Sequence, residues 1–182
     1  MITFVFVIFT AGCSKTDDTS TDPLPENNLL TNGSFEINGA ASTSGWTEYY
    51  LESSVEKFST DTPIGGGSFS VKLKNIGWMA ASVLHQKLVV PPGTNRYRLT
   101  TYSKAIESQL AGGEMSINIY KNGSWTTSKR MHFSDTTWTT GSLLDTISTE
   151  TGDTISIRLN SDDSQFSRGY ILFDLIKFVK VE

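Results

Sequence analysis

The chain predicts an all-β fold, a β-sandwich, and three observations carry that expectation. Short runs alternate apolar and polar residues with period two and recur along the chain. Gly, Pro, Asn and Asp punctuate these runs, and apolar residues at helical spacing are almost absent. The composition is that of an extracellular β domain, with 19% charged residues, 11% aromatics including four Trp, and abundant Ser, Thr, Gly and Asn.

In chain order, residues 1–12 read as a secretory signal. Residues 2–9, ITFVFVIF, are apolar apart from Thr3, and the run is shorter than the ~20 residues that span a bilayer. The basic residues that usually open such a signal are missing, because Met1 is followed directly by Ile2. Ala11 and Gly12 precede Cys13 as small residues precede the lipidated cysteine of a bacterial lipobox, with Thr10 where Leu is commonest. Cys13 is the only cysteine, so it has no partner for an internal disulfide, and lipidation accounts for the odd count. Residues 13–26 are rich in Ser, Thr, Asp and Pro and read as a flexible tether. Their start, Cys13-Ser14-Lys15-Thr16-Asp17-Asp18, resembles the export signal of Bacteroidetes surface lipoproteins, which implies a lipid anchor at Cys13 and display on the outer face of the outer membrane.

Residues 27–182 are one domain's worth of chain. Strands are expected at 29–36, 46–50, 54–59, 69–74, 84–90, 97–102, 115–120, 127–133, 141–147, 154–159 and 170–181, about ten to eleven in all. Lys121-Asn122-Gly123-Ser124 carries an Asn-Gly hairpin turn, Pro91-Pro92-Gly93 closes the strand before it, and residues 103–111 read as a loop. Period two assigns Phe69, Val71, Leu73, Leu84, Leu88, Val90, Tyr97, Leu99, Met115, Ile117 and Ile119 to the core. The complementary set is Lys72, Lys74, His85, Lys87, Arg98, Thr100, Tyr102, Ser116, Asn118 and Tyr120, and it is taken as one solvent- or ligand-facing surface.

Several function classes are disfavoured. A net charge of −4 and a pI near 5.2 speak against nucleic acid as a partner. Two His and one Cys nearly exclude a zinc site of the usual kind. No Gly-x-Ser-x-Gly nucleophile signature occurs, and no carboxylate pair suited to glycoside hydrolysis, at roughly 5–9 Å, is singled out; Asp162-Asp163 read as loop residues. The chain is therefore expected not to be an enzyme, and to be a monomer.

Asn32-Gly33-Ser34-Phe35-Glu36 followed by Gly45-Trp46 resembles the start of jelly-roll carbohydrate-binding modules, the group containing families four, nine and twenty-two, with a galactose-binding-domain-like architecture. Gly67-Ser68-Phe69-Ser70-Val71, Gln86-Lys87-Leu88-Val89-Val90-Pro91-Pro92-Gly93, Tyr97-Arg98-Leu99-Thr100 and Phe173-Asp174-Leu175-Ile176-Lys177-Phe178 resemble later motifs of the same group, in the same order. The resemblance implies a jelly roll of two antiparallel sheets over residues 27–182. It further implies a structural calcium near Glu36 and Asp174, hard oxygen donors where the first and last strands meet; the plainer reading is two hydrogen-bonded carboxylates at the rim. The family usually has a second acidic residue where this chain has Leu175. Trp46 and Trp138 are expected to be structural.

A sugar needs an aromatic plate and several hydrogen-bonding groups. The candidates are Tyr102 and Tyr120 as plates, His85, Arg98 and Asn118 as hydrogen-bonders, and Trp78 in a neighbouring loop, with Trp125 also expected to be exposed. The cluster of Lys72, Lys74, His85, Lys87 and Arg98 suits an acidic polysaccharide or, more plainly, a solvated sheet face. Three functions are weighed, in this order: a lipid-anchored protein that binds polysaccharide or oligosaccharide at the cell surface, a structural or adhesive module that binds protein, and a small glycan-cleaving enzyme with two carboxylates facing across a groove.

Overall fold

A computed structural model describes residues 27–49, 57–77, 80–162 and 166–182. The signal, Cys13, the tether and Trp78 lie outside the described residues, as do parts of the strands expected at 46–50 and 54–59.

The described residues form thirteen strands and no helix. In order they are β1 (Glu36–Ile37), β2 (Ala40–Ala41), β3 (Thr47–Tyr49), β4 (Phe58–Ser59), β5 (Ser70–Gly77), β6 (Ala80–Ala81), β7 (Val83–Val89), β8 (Gly93–Ile106), β9 (Gly113–Lys121), β10 (Ser124–Phe133), β11 (Thr139–Thr149), β12 (Thr154–Ser161) and β13 (Tyr170–Val181). One sheet has the order β10-β9-β12-β7-β3 and the other β11-β8-β13-β5-β4, with β6 beside β5; every pairing is antiparallel. This is the β-sandwich jelly roll of two antiparallel sheets.

The core lies between the sheets and follows the alternation. Leu84, Met115, Ile117, Ile155, Ile157 and Leu159 project from one sheet, and Val71, Leu73, Tyr97, Leu99, Ile171, Phe173 and Phe178 from the other; all are at most 1% exposed. Leu88 and Ile119 pack against this core from its margin. Tyr97 stacks on Phe178 at 5.0 Å, and burial pushes its phenol above the usual tyrosine range. The Asn-Gly turn joins β9 to β10 with Asn122 at φ 49° and Gly123 at φ 78°, both in the left-handed region that such a tight hairpin needs.

Two expected elements differ. Residues 29–36 do not form a strand; only Glu36 is extended, because Asn32 (φ 51°) and Phe35 (φ 57°) turn the chain twice. The segment is still held at the end of the sandwich, where Leu29 N–H donates to Phe178 O and Ile176 N–H to Gly33 O, each at 2.8 Å. Phe35 is fully buried and packs on Trp46 at 5.5 Å, and the Trp46 indole donates to Asn32 O at 3.0 Å, so Trp46 is core as expected. The loop expected at 103–111 is instead strand as far as Ile106. Ser103 and Ala105 continue the inward alternation of β8 with side chains too small to register as an apolar pattern.

Candidate functional site

The outer faces of the two sheets are built differently. On the β8–β13–β5 sheet, Leu172 and Asp174 point away from the core, in register with Lys104 and Tyr102, yet both are fully buried. The segment after β4 covers them. Ser70 Oγ donates to Asp61 O at 2.7 Å, while the Asp61 carboxylate accepts from Lys104 Nζ at 2.6 Å and from the Trp138 indole at 2.8 Å. Burial is the largest single influence on the Asp61 carboxyl and opposes its ionisation, but these two donors together outweigh it and hold the group below the usual carboxylate range. Gly66 sits directly on Asp174, since a Cβ there would collide with Asp174 Oδ2.

At this closed end two carboxylates meet. Glu36 accepts from the backbone N–H of Ser68 and Phe69. Asp174 Oδ1 accepts from Leu175 N–H at 2.7 Å, whereas its Oδ2 is buried without a hydrogen-bond partner. Burial, reinforced by the nearby Glu36 charge, pushes Asp174 up to about 8. A Cβ on Gly67 would fall 2.6 Å from Glu36 Oε2, so Gly66 and Gly67 together form a cradle that only glycine permits. An orphaned buried carboxylate oxygen beside a second carboxylate fits the donor set of a hard cation. Among the described residues no group of three or more His, Cys, Asp or Glu gathers, so two carboxylates are the acidic donors available here.

The outer face of the β10-β9-β12-β7-β3 sheet is open and holds a groove of about 280 Å³. The strand registers set its floor. Asn118 on β9 faces Thr127 on β10 and Ser156 on β12, and Ser116 faces Arg130 and Arg158. On the far side His85 of β7 lies between Arg158 and Thr47 of β3. Ser116, Asn118, Ser156 and His85 are all buried although they face outward, so the floor is polar and shielded. Asn118 is held by Thr127 Oγ1, which donates to its Oδ1 at 2.8 Å, and by its own Nδ2, which donates to Ser116 Oγ at 3.2 Å. His85 stacks on Tyr49 at 5.1 Å, with Ser156 Oγ 3.4 Å from its Nδ1. Burial lowers the His85 pKa first, then the charges of Arg158 and Lys87, so the ring is neutral near pH 7.

Asn160 Oδ1 in the groove lining lacks a partner, as does His85 Nε2 on the neighbouring strand of the same face. Large side chains stand at the margins: Trp125 is 53% exposed on β10 and Tyr49 is 51% exposed on β3. The Arg158 guanidinium lies 5.7 Å from the Trp125 ring centre, and the Lys87 ammonium covers the Tyr120 ring at 4.5 Å. Arg130, His132, Glu114 and Asp162 complete the lining, with Arg130 3.9 Å from Glu114.

The structure therefore divides the residues expected to share one surface. His85, Lys87, Ser116, Asn118 and Tyr120 lie on the open sheet, whereas Lys72, Lys74, Arg98, Thr100 and Tyr102 lie on the outer face of the other sheet, across the whole sandwich. Period two separates inside from outside and carries no information on which sheet a strand joins. Tyr120 shares the groove face but is roofed by Lys87, which makes Trp125 and Tyr49 the accessible rings. Arg158 and Asn160 were legible, because Thr154, Ser156, Arg158 and Asn160 alternate with Ile155, Ile157 and Leu159. Tyr49 follows from no local pattern, since β3 is only three residues long.

No protein-family model matches the chain, and no curated protein does. Solved structures do. A family 16 carbohydrate-binding module is similar at 21% identity and TM-score 0.58, over 84% of this chain and 99% of that one. The C-terminal family 22 carbohydrate-binding module of Clostridium thermocellum Xyn10B, from work on the role of cleft amino acids in ligand binding, is similar at 17% identity and TM-score 0.57, over 86% and 96%. A family 61 module in complex with β-1,4-galactotriose is similar at 16% identity and TM-score 0.53, over 85% and 99%. The chain has the jelly-roll fold of carbohydrate-binding modules.

Proposed function

We propose that the protein is a non-catalytic glycan-binding module whose binding site is the groove of the β10-β9-β12-β7-β3 sheet. The observation that carries this reading is the open face: buried polar Ser116 and Asn118 with unpartnered Asn160 Oδ1 beneath exposed Trp125 in the groove, and unpartnered His85 Nε2 beside exposed Tyr49 on the same sheet. Unpartnered buried polar atoms are costly unless a ligand satisfies them, and sugar hydroxyls are suited to both a nitrogen and an amide oxygen. Trp125 and Tyr49 supply flat apolar surface for the C–H face of a sugar ring. The fold shared with carbohydrate-binding modules supports the reading. Affinity electrophoresis of residues 27–182, which contain both sheets and the core, against a panel of polysaccharides tests it. Retardation by at least one polymer, with no new reducing ends after prolonged incubation, is the expected result; migration unchanged by every polymer contradicts it.

The same reading includes a structural calcium held by Glu36 and Asp174. Support comes from the unpartnered Asp174 Oδ2, its proximity to Glu36, and the glycine cradle around both. A bound calcium supplies the positive charge that lets both carboxylates stay ionised. The two residues are far apart in sequence, so the ion would fasten the start of the domain to its last strand.

The reading also places the module at the cell surface, as an outer-membrane lipoprotein anchored through Cys13 after loss of residues 1–12, with residues 13–26 as a tether. The lone cysteine after Ala11-Gly12 and the polar, proline-containing segment that follows support this. Fatty-acid labelling of the full chain that disappears in Cys13→Ser is the expected outcome; label retained by that variant contradicts it.

A further inference from the structure

We propose that the groove selects an anionic glycan, with Arg158 as the receptor for a carboxylate or sulfate carried on the sugar and Lys87 as its auxiliary. This rests on the groove being a glycan site and adds the class of glycan.

Four lysines elsewhere are matched with acids: Lys57 lies 2.5 Å from Glu48, Lys104 2.6 Å from Asp61, Lys72 3.3 Å from Glu107 and Lys121 3.6 Å from Asp153. On the groove face, Arg130 is matched with Glu114. Arg158 and Lys87 have no carboxylate partner among the described residues, and each instead lies against an aromatic ring. Arg158 stands near the middle of the sheet, half-buried on β12 between Ser116 and His85. A guanidinium so placed is partly stripped of water, held by a flat ring, and free to offer its donors upward.

That is the arrangement in which arginine recognises a carboxylate or sulfate best. Its planar fork forms two parallel charge-assisted hydrogen bonds, and partial burial limits screening. Both cations reach the floor electrostatically, since Arg158 and Lys87 each disfavour protonation of His85. The acids that line the groove, Glu114 and Asp162, lie together toward one end of it, beside Asn160 and Ser161, while Lys87 on the neighbouring strand faces Ser156, on the other side of Arg158.

The test uses matched polymers and residues 27–182. Polygalacturonate, alginate and glucuronoxylan are each compared with their own carboxyl-reduced form, and a sulfated galactan with its desulfated form. The expected result is that at least one acidic polymer binds at least about tenfold more tightly than its neutral counterpart, about 1.4 kcal/mol. Arg158→Gln should erase that difference, weakening binding of the charged form far more than of its neutral counterpart at an unchanged melting temperature, and Lys87→Gln should reduce it. Preference within the carboxylated pairs identifies a uronate ligand, and preference within the sulfated pair a sulfate ester. Equal binding of charged and neutral forms, or Arg158→Gln weakening both equally, overturns the proposal while the glycan-binding reading stands. Binding to no polymer of any kind overturns both.

Discussion

Asp174 shows how one side chain can tie pH, metal and stability together. Its carboxyl is fully buried, one oxygen has no partner, and its pKa is raised from 3.8 to about 8. Without a cation the folded state therefore holds a proton that the unfolded chain releases above about pH 4. Stability is full below that pH and declines as pH rises toward about 8, the reverse of the behaviour of a salt-bridged carboxylate. The melting temperature in chelator is expected to fall between about pH 5 and pH 8, and calcium should restore most of the loss at the alkaline end. Asp174→Asn should flatten the profile and abolish the calcium response. An unchanged pH slope in that variant would show that another group sets it. In the core, Phe173 is fully buried and meets Phe133 edge-on at 5.9 Å, so Phe173→Ala should cost about 3–5 kcal/mol in chemical denaturation.

The element that decides which face is open is the segment from Thr60 to Phe69, which lies over β13 and converts an outward face into interior. Within it Gly67, at φ 72°, has Glu36 where a Cβ would go; Gly39, at φ 73°, has nothing within 4 Å. Both Gly67→Ala and Gly39→Ala should carry the conformational cost of the left-handed region, about 1 kcal/mol or more. Only Gly67→Ala adds a steric cost, so thermal unfolding should rank it clearly below Gly39→Ala, and calcium should stabilise it least. This covering segment also explains what was and was not legible in the sequence. Val71, Leu73, Tyr97, Leu99, Met115 and Ile117 were readable as core because each strand alternates on its own. Leu172 and Asp174 were not readable as buried outward residues, because a loop distant in sequence shields them. Arg98 and Tyr102 entered the expected site for the related reason that strand order is a long-range property. His85 and Asn118 lie on one face because their strands share the open sheet.

The sandwich has one closed outer face and one open, polar-floored face, and the first described residues are joined to β13 of the closed sheet. Leu29, Gly33 and Asn28 all hydrogen-bond to β13, so the segment that follows residue 26 leaves from the end of the sandwich and not from the groove. On the proposed reading, a tether attached there would leave the groove accessible to a polymer. The central claim is that this groove, and not the opposite face, binds glycan. The most direct measurement is affinity electrophoresis of the wild type, Trp125→Ala and Tyr102→Ala in the same polysaccharide gel, using a polymer that retards the wild type. Trp125→Ala is expected to lose about tenfold or more in affinity, about 1.4 kcal/mol, with its melting temperature unchanged, and Tyr102→Ala to migrate as the wild type does. Loss of retardation with Tyr102→Ala and its retention with Trp125→Ala would contradict the account and move the site to the other sheet.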